Sequence, residues 1–353
     1  MASAPPPPAT GLSGAAAGQA GYVTNVPDFK VTLDGQDLTP KMRPRLVSLT
    51  LSDKRAGEAD QLDIVLDDSD GRLALPKAGA KISLQLGWKR GSDVTPGLVE
   101  KGSFTVDEVE HGGPPDQVTI RARSADFTSE IRTRREKSWK DTTLGAVVND
   151  IASRNKLQPR CASSLASISI KSLVQGRESD IAFLRRLGRR YDAVATIKKG
   201  ALIFSPVGAG ATPGGRAIPS IEIRRRDGDR HSYRLEKREE GEGVTATWHD
   251  RKAAKKKDVT IGKKDGARKL SHVYATEDSA KRAARAERSR LGRRPEKLSF
   301  DLALGRAELY PERRVKAVGF KAEIDAKSWL IVEVTHSLTN TGFSTKLEME
   351  AAS

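Results

Sequence analysis

The chain has a single cysteine, Cys161, in 353 residues. No intrachain disulfide framework and no multi-cysteine zinc or iron–sulfur site can be built from one thiol, which fits assembly in a reducing cytosol. Aromatic residues make up only 5% of the sequence, so any core must be mostly aliphatic. Long apolar runs are also missing. The longest uncharged stretches, residues 1–27 and 200–215, are broken by Pro and Gly, so no segment is expected to insert in a membrane. No basic residue precedes Lys30 and no apolar h-region accompanies it, so a cleaved signal peptide is not expected.

Catalytic signatures are scarce as well. The five histidines, His111, His231, His249, His272 and His336, are scattered, with neither an HExxH motif nor a cysteine cluster beside them. No GxSxG occurs. Gly208 to Pro213 has Pro where a dinucleotide-binding loop needs its third Gly, and Gly262-Lys263-Lys264 lacks the Ser or Thr of a phosphate-binding loop. Asp67 to Gly71 does not place oxygen ligands and Gly at calcium-loop spacing and reads as a turn. No catalytic, cofactor-binding or metal-binding residue is therefore assigned, and no cofactor is expected.

Charge is abundant and uneven. Lys and Arg number 62 against 46 Asp and Glu, a net +16, yet residues 1–135 are nearly balanced and residues 136–353 carry an excess of 17 positive charges. The basic segments are Arg185-Arg186, Arg189-Arg190, Arg224 to Arg226, Lys255 to Lys257, Lys263-Lys264 and Arg293-Arg294. An acidic partner for the C-terminal part follows. The aromatic interleaving of a single-strand binding platform is missing, so protein interfaces suit these residues better than nucleic acid, which stays as the alternative reading. A cell-wall hydrolase is a third and weaker alternative, since no local signature singles out a carboxylate pair.

Periodicity predicts a mainly β protein with α+β insertions: two related antiparallel β domains, each a small sandwich or barrel, a small α+β domain and a helical excursion. Residues 1–22, rich in Ala, Pro and Gly, read as a flexible arm. Residues 23–136 alternate with period two between turn signals such as Asp34-Gly35 and form the first β domain, a sandwich or barrel. Residues 137–207 form the α+β unit, with one helix capped by Asp141 to Thr143 and another capped by Ser179. Residues 208–218 read as a linker. Residues 219–353 form the second barrel, with Val244 to Trp248 among its strands and a basic helical excursion at about 255–294. There Thr276 caps a helix that stops at Gly292.

An internal repeat underlies this division. Phe104 to His111 and Trp329 to His336 share Glu, Val and His at equivalent places behind an aromatic start. Strict alternation puts Phe104, Val106 and Glu108 on one face, with Val109 opposite, and the same for Trp329, Ile331, Glu333 and Val334. His111 and His336 are expected to cap turns or to pack at an edge.

The run Gly102 to Glu110 followed by Gly112 to Pro115, then Ser138-Trp139 with Thr143-Leu144, then Glu178 to Leu184 with Arg186-Leu187, closely resembles the late control protein D family of tail-hub proteins. Asp60 to Gly71, Pro76, Gly79 and the segment Gly243 to His249 agree, so the resemblance runs from about Val23 to the C-terminus. It implies a structural, non-enzymatic baseplate hub of a contractile phage tail or related injection particle. The hub would be a homotrimer whose six barrels join a sixfold tail tube to a threefold spike. Tube and baseplate proteins, a separate trimeric spike and the tape-measure protein are the implied partners. The fused spike extension of type VI secretion relatives is not expected after the last strand.

Overall fold

Apolar and polar residues alternate along residues 26–124, and in the computed structural model that alternation becomes a curled sheet around one core. The structure describes residues 22–55, 59–124, 129–198, 200–236, 243–293 and 296–352. The arm expected at 1–22 lies outside the described residues except for Tyr22. Strand β1 (Val26–Leu33) turns at Asp34-Gly35 into β2 (Gln36–Asp37). Both turn residues have positive φ, 48° and 86°, a geometry that an Asp-Gly pair meets at little cost. Helix α1 (Thr39–Met42) plugs the sheet with Met42. Then come β3 (Leu46–Lys54), β4 (Gln61–Asp67), β5 (Lys81–Arg90), β6 (Gly97–Gly112), β7 (Gln117–Ser124) and the short α2 (Ser129–Arg132). The spatial order is β3-β4-β7-β6-β5-β1, and every pair is antiparallel. Leu49, Leu51, Leu62, Ile64, Leu84, Leu86, Phe104 and Val106 fill the interior.

The α+β unit follows. Strand β8 (Arg134–Thr143) leads into α3 (Leu144–Arg154), then β9 (Gln158–Cys161), α4 (Ser163–Ala166), β10 (Ser169–Ser179), α5 (Asp180–Tyr191), β11 (Ala193–Lys198) and β12 (Ala201–Pro206). Thr143 Oγ1 accepts from the Ala146 amide at 3.2 Å and Ser179 Oγ from the Ala182 amide at 3.3 Å, so both expected caps form. Beneath the helices Trp139 stacks on Phe183, with centroids 5.2 Å apart. The antiparallel pair β8–β10 is not legible in the sequence, because one side of this ribbon is solvated and its apolar residues are sparse. The stretch read as a linker is held in place: the Gly208 amide donates to Glu312 Oε2 at 2.7 Å, and Arg314 donates to the Gly208 carbonyl at 2.8 Å.

Strands β13 (Ile221–Arg224) and β14 (Gly228–Leu235) open the second barrel. Next come β15 (Gly243–Asp250), β16 (Lys255–Gly262), β17 (Arg268–Tyr274) and α6 (Glu277–Arg293). This corrects the reading of 255–294 as helical and of Val244 to Trp248 as a barrel strand. The three strands form their own sheet, β16-β15-β17, and α6 lies on it. Val244, Ala246 and Tyr274 face Ala280, Ala283 and Ala284, whose small side chains let helix and sheet approach closely. Lysine-rich β16 resembles a solvated loop in composition because it is an edge strand, where lysine blunts unwanted pairing. Helix α6 also runs through Gly292 to Arg293.

The barrel resumes with β18 (Glu296–Leu302), β19 (Arg314–Val318), α7 (Ala322–Asp325), β20 (Ser328–Thr339) and β21 (Gly342–Ala351). Its core holds Leu298, Phe300, Val315, Trp329, Ile331, Val334, Leu347 and Met349. The two barrels repeat each other: β3, β4, β5, β6 and β7 correspond to β14, β18, β19, β20 and β21. Val106 faces Ala122 as Ile331 faces Met349, and His111 faces Val118 as His336 faces Thr345. The repeat differs at one strand, since β1 is antiparallel to β5 whereas β13 is parallel to β19.

A one-residue bulge sits at the same place in both copies, Asp107 in β6 and Val332 in β20. It corrects the expected faces. The extra residue shifts the phase of alternation, so Val109 packs against the same core as Val106, and Val334 against the same core as Ile331. Glu108 turns to solvent and Glu333 is half-buried. A second shared bulge falls at Val47 in β3 and Asp229 in β14.

Candidate functional site: the seam between the barrels

Strand β3 pairs antiparallel with β20 from Lys54↔Glu333 to Ser48↔Thr339, which fuses both barrels into one thirteen-stranded sheet. The seam is apolar at its centre. Leu338, Phe343 and Ala307 of the second barrel belong to the first barrel's core, and Phe343 lies 5.5 Å from Trp88. The Trp88 indole donates to the Gly305 carbonyl at 2.8 Å. A side chain at Gly305 would drive its Cβ to 2.5 Å from the Phe343 ring, so the loop can close on the ring only with glycine there.

Polar groups are buried beside this contact. Lys101 Nζ lies 3.0 Å from His336 Nε2 and donates to the Ala307 carbonyl at 3.0 Å; His336 Nδ1 lies 2.9 Å from Thr345 Oγ1. An ammonium only donates, so Nε2 is the acceptor and the proton of the neutral imidazole sits on Nδ1, pointing to Thr345. Burial, then the Lys101 charge, holds the His336 pKa well below its usual value. Burial also lowers Lys101, to about 8.

A chain of ion pairs ties the seam to the other modules. Arg55, just after β3, meets Glu312, and lies 2.6 Å from Glu350 of β21. Glu350 in turn meets Arg293 of α6 at 3.2 Å, and Arg293 donates to Asp192, after α5, at 2.9 Å. Nearby, Lys198 of β11 pairs with Asp53 at 3.1 Å and with Asp60. Burial and the Asp53 charge push Asp60 up to about 6 against the pull of Lys198, and burial raises Glu312 despite Arg55. Pairs of this kind add little net stability, but breaking one strands a desolvated charge at about 3–5 kcal/mol, so they fix the geometry in which four cores meet.

Hollows flank the seam. One of about 300 Å³ is walled by Asp53, Lys198, Thr196, Ile203, Tyr310 and Glu312, with its charges paired to each other or to Arg55. A groove of about 950 Å³ runs between Trp88, Val94 and Leu98 on one side and Arg226, Leu304 and Arg306 on the other. Among the described residues no group of three or more His, Cys, Asp or Glu side chains could hold a metal ion, and no helix is long and apolar enough to cross a membrane.

The repeat histidines part company here. His111 ends an exposed strand, 3.4 Å from Asp68, with its side chain 43% exposed, while His336 is the buried polar centre of the seam. The basic segments are dispersed, and several of their members are paired locally: Arg186 with Glu178, Arg224 with Glu222 at 2.8 Å, Lys257 with Asp250 at 2.6 Å. Arg294 lies outside the described residues. Asp67 to Gly71 is a turn, held by Arg45 on Asp70 at 2.7 Å, which keeps Asp70 down at about 2. Lys101, Arg55, Lys198, Glu312 and Glu350 have no sequence motif. Asp53 alone carries a readable sign, a charge in phase with the inward Leu49 and Leu51.

The family described as "Phage tail baseplate hub (GPD)" matches residues 60–342. The chain is 42% identical over 365 residues to the "Probable baseplate hub protein" of Escherichia phage 186, covering 92% of each chain. It is 43% identical over 367 residues to the protein of the same name in Escherichia phage P2, covering 93% of this chain and 94% of that one. The fold is shared with a 43 kDa tail protein of prophage MuSo2 from Shewanella oneidensis, with a TM-score of 0.64 at 13% identity over 92% of this chain and 98% of that one. With a family model matched over most of the chain and two relatives more than 40% identical along it, the chain belongs to the phage tail baseplate hub family, a structural component of the virion.

Proposed function

We propose that this hub is a homotrimeric symmetry adapter with no catalytic centre, joining the sixfold tail tube to a threefold spike. The observation that carries the reading is the duplication: two barrels agree in strand order, pairing register and the position of two bulges. Three chains then offer six similar faces to the tube while keeping exact threefold symmetry for a trimeric spike. Only a rigid link between the barrels keeps six faces in one plane, and the β3–β20 ladder with its buried pairs supplies it. The modules at 137–207 and 243–293 offer surfaces to other baseplate proteins, and the tape-measure protein is a further candidate partner. Assembly takes place in the host cytoplasm, where half-buried Cys161 stays reduced.

Reconstruction of the particle base without imposed symmetry tests this. Three copies of the chain are expected between tube and spike, and six copies, or one, overturn the reading.

A further inference from the structure

The contact that fuses the barrels is heterologous: β3 of the first barrel pairs with β20 of the second, and β20 is the counterpart of β6, not of β3. Such a contact leaves one unused half at each end of the chain. The counterpart of β3 is β14, which pairs only with β18 among the described residues. The counterpart of the paired part of β20 is the stretch Glu108–Gly112 of β6, bonded to β7 on one side. On its other side the β5 ladder ends at Lys81↔Thr105, followed only by bonds between Val106 and residues 79 and 80.

We propose that β14 of one chain adds to Glu108–Gly112 of the next, repeating the β3–β20 ladder between subunits. The inference rests on the trimeric reading and names the surfaces that close the ring. Transferring the observed register through the repeat pairs Val109 with Leu235, Glu110 with Arg234, His111 with Tyr233 and Gly112 with Ser232 of the neighbouring copy. Glu108 meets Glu236, and each already has its own cation, Arg121 at 2.8 Å and Lys297 at 3.4 Å.

Two independent observations point to a second copy as the occupant. First, residues in the inward phase are left uncovered on β14: Leu49, Leu51 and Asp53 of β3 are buried, whereas their counterparts His231 and Leu235 are exposed, Leu235 by 65%, and Tyr233 is only half-buried. Second, the edges are complementary in charge. Asp107, Glu108 and Glu110 stand on one, held from β7 by Arg123 and Arg121, while on the other Arg230 and Arg234 outnumber Asp229. An uncapped edge with an exposed leucine is a template for strand addition, and opposite charges set its partner and register.

Cysteine pairing in assembled particles tests the ladder. Opposed residues of an antiparallel pair have Cα atoms about 4.5–5.5 Å apart, within reach of a disulfide. In a Cys161→Ser background, Glu110→Cys combined with Arg234→Cys should give covalent dimers and trimers on mild oxidation, at least about tenfold above either single cysteine. Three copies in the reconstruction with no cross-link overturns the ladder and leaves the trimeric reading intact. A copy number other than three overturns that reading, and the ladder then stands or falls on the same cross-link. Should the cysteine variants fail to assemble, Glu110→Arg and Arg234→Glu each lower particle yield at least about tenfold and their combination restores it; no restoration overturns the proposal.

Discussion

At the residue scale the seam turns on His336, a neutral imidazole between a lysine and a threonine. Its pKa is lowered in the folded chain, so below about pH 6.5 the unfolded chain takes up a proton that the folded chain refuses, and stability falls as the pH falls. Lys101 has the same sign in a higher window: between about 8 and its ordinary 10.5 the unfolded chain alone keeps the proton, so stability rises with pH there. Asp60 has the opposite sign. Raised to about 6, it holds a proton in the folded chain that the unfolded chain loses near 3.8, so its contribution falls as pH rises through that window. His336→Gln should therefore flatten the loss of stability between about pH 6.5 and 5 by at most about 1.4 kcal/mol per pH unit, the slope for one proton. Denaturant melts of both proteins across that range check it, and an unchanged slope removes His336 from the linkage.

At the element scale the repeated strands β6 and β20 matter most. Phe104 and Trp329 hold equivalent places in their cores, and both are fully buried. Truncating either to Ala should cost roughly 3–5 kcal/mol in denaturant unfolding. Trp329→Ala should fall at the upper end, because the Ile324 carbonyl also loses its indole donor at 3.1 Å. A loss below about 1 kcal/mol at either place would mean that the aromatic faces do not hold the barrels. Element starts were legible where a side chain meets its own backbone: Thr143, Ser179 and Thr276 cap as their sequence context indicates. The bulges were not, since one extra residue leaves composition unchanged and reveals itself only in pairing.

At the scale of the whole molecule, basic residues of 136–353 such as Arg224, Lys257 and Arg293 have acidic partners in the same stretch, and an excess of 17 positive charges remains beyond all such pairing. Lys255 to Lys257 start β16, which pairs only with β15 among the described residues. Replacing all three with Glu should reduce particle assembly more than it changes any DNA retention by the purified protein at physiological salt. Filter binding beside particle yield measures both; tight, sequence-independent DNA binding lost with the reversal would point to nucleic acid as the partner.

The sequence by itself determined most strands of the two barrels, the caps at Thr143, Ser179 and Thr276, the duplication and, through the order of its motifs, the family. All of these depend on neighbours along the chain or on a repeat within it. Only the tertiary structure decided that the barrels share one sheet, that Val244 to Trp248 leaves the second barrel for a sheet under α6, and that two equivalent histidines end in opposite environments. It also brought Arg55, Glu312, Glu350, Arg293 and Asp192 together. The physical reason is the same in each case: pairing between distant edges and the burial of charge are set by what packs across the seam, up to 295 residues away along the chain, and no local pattern encodes that.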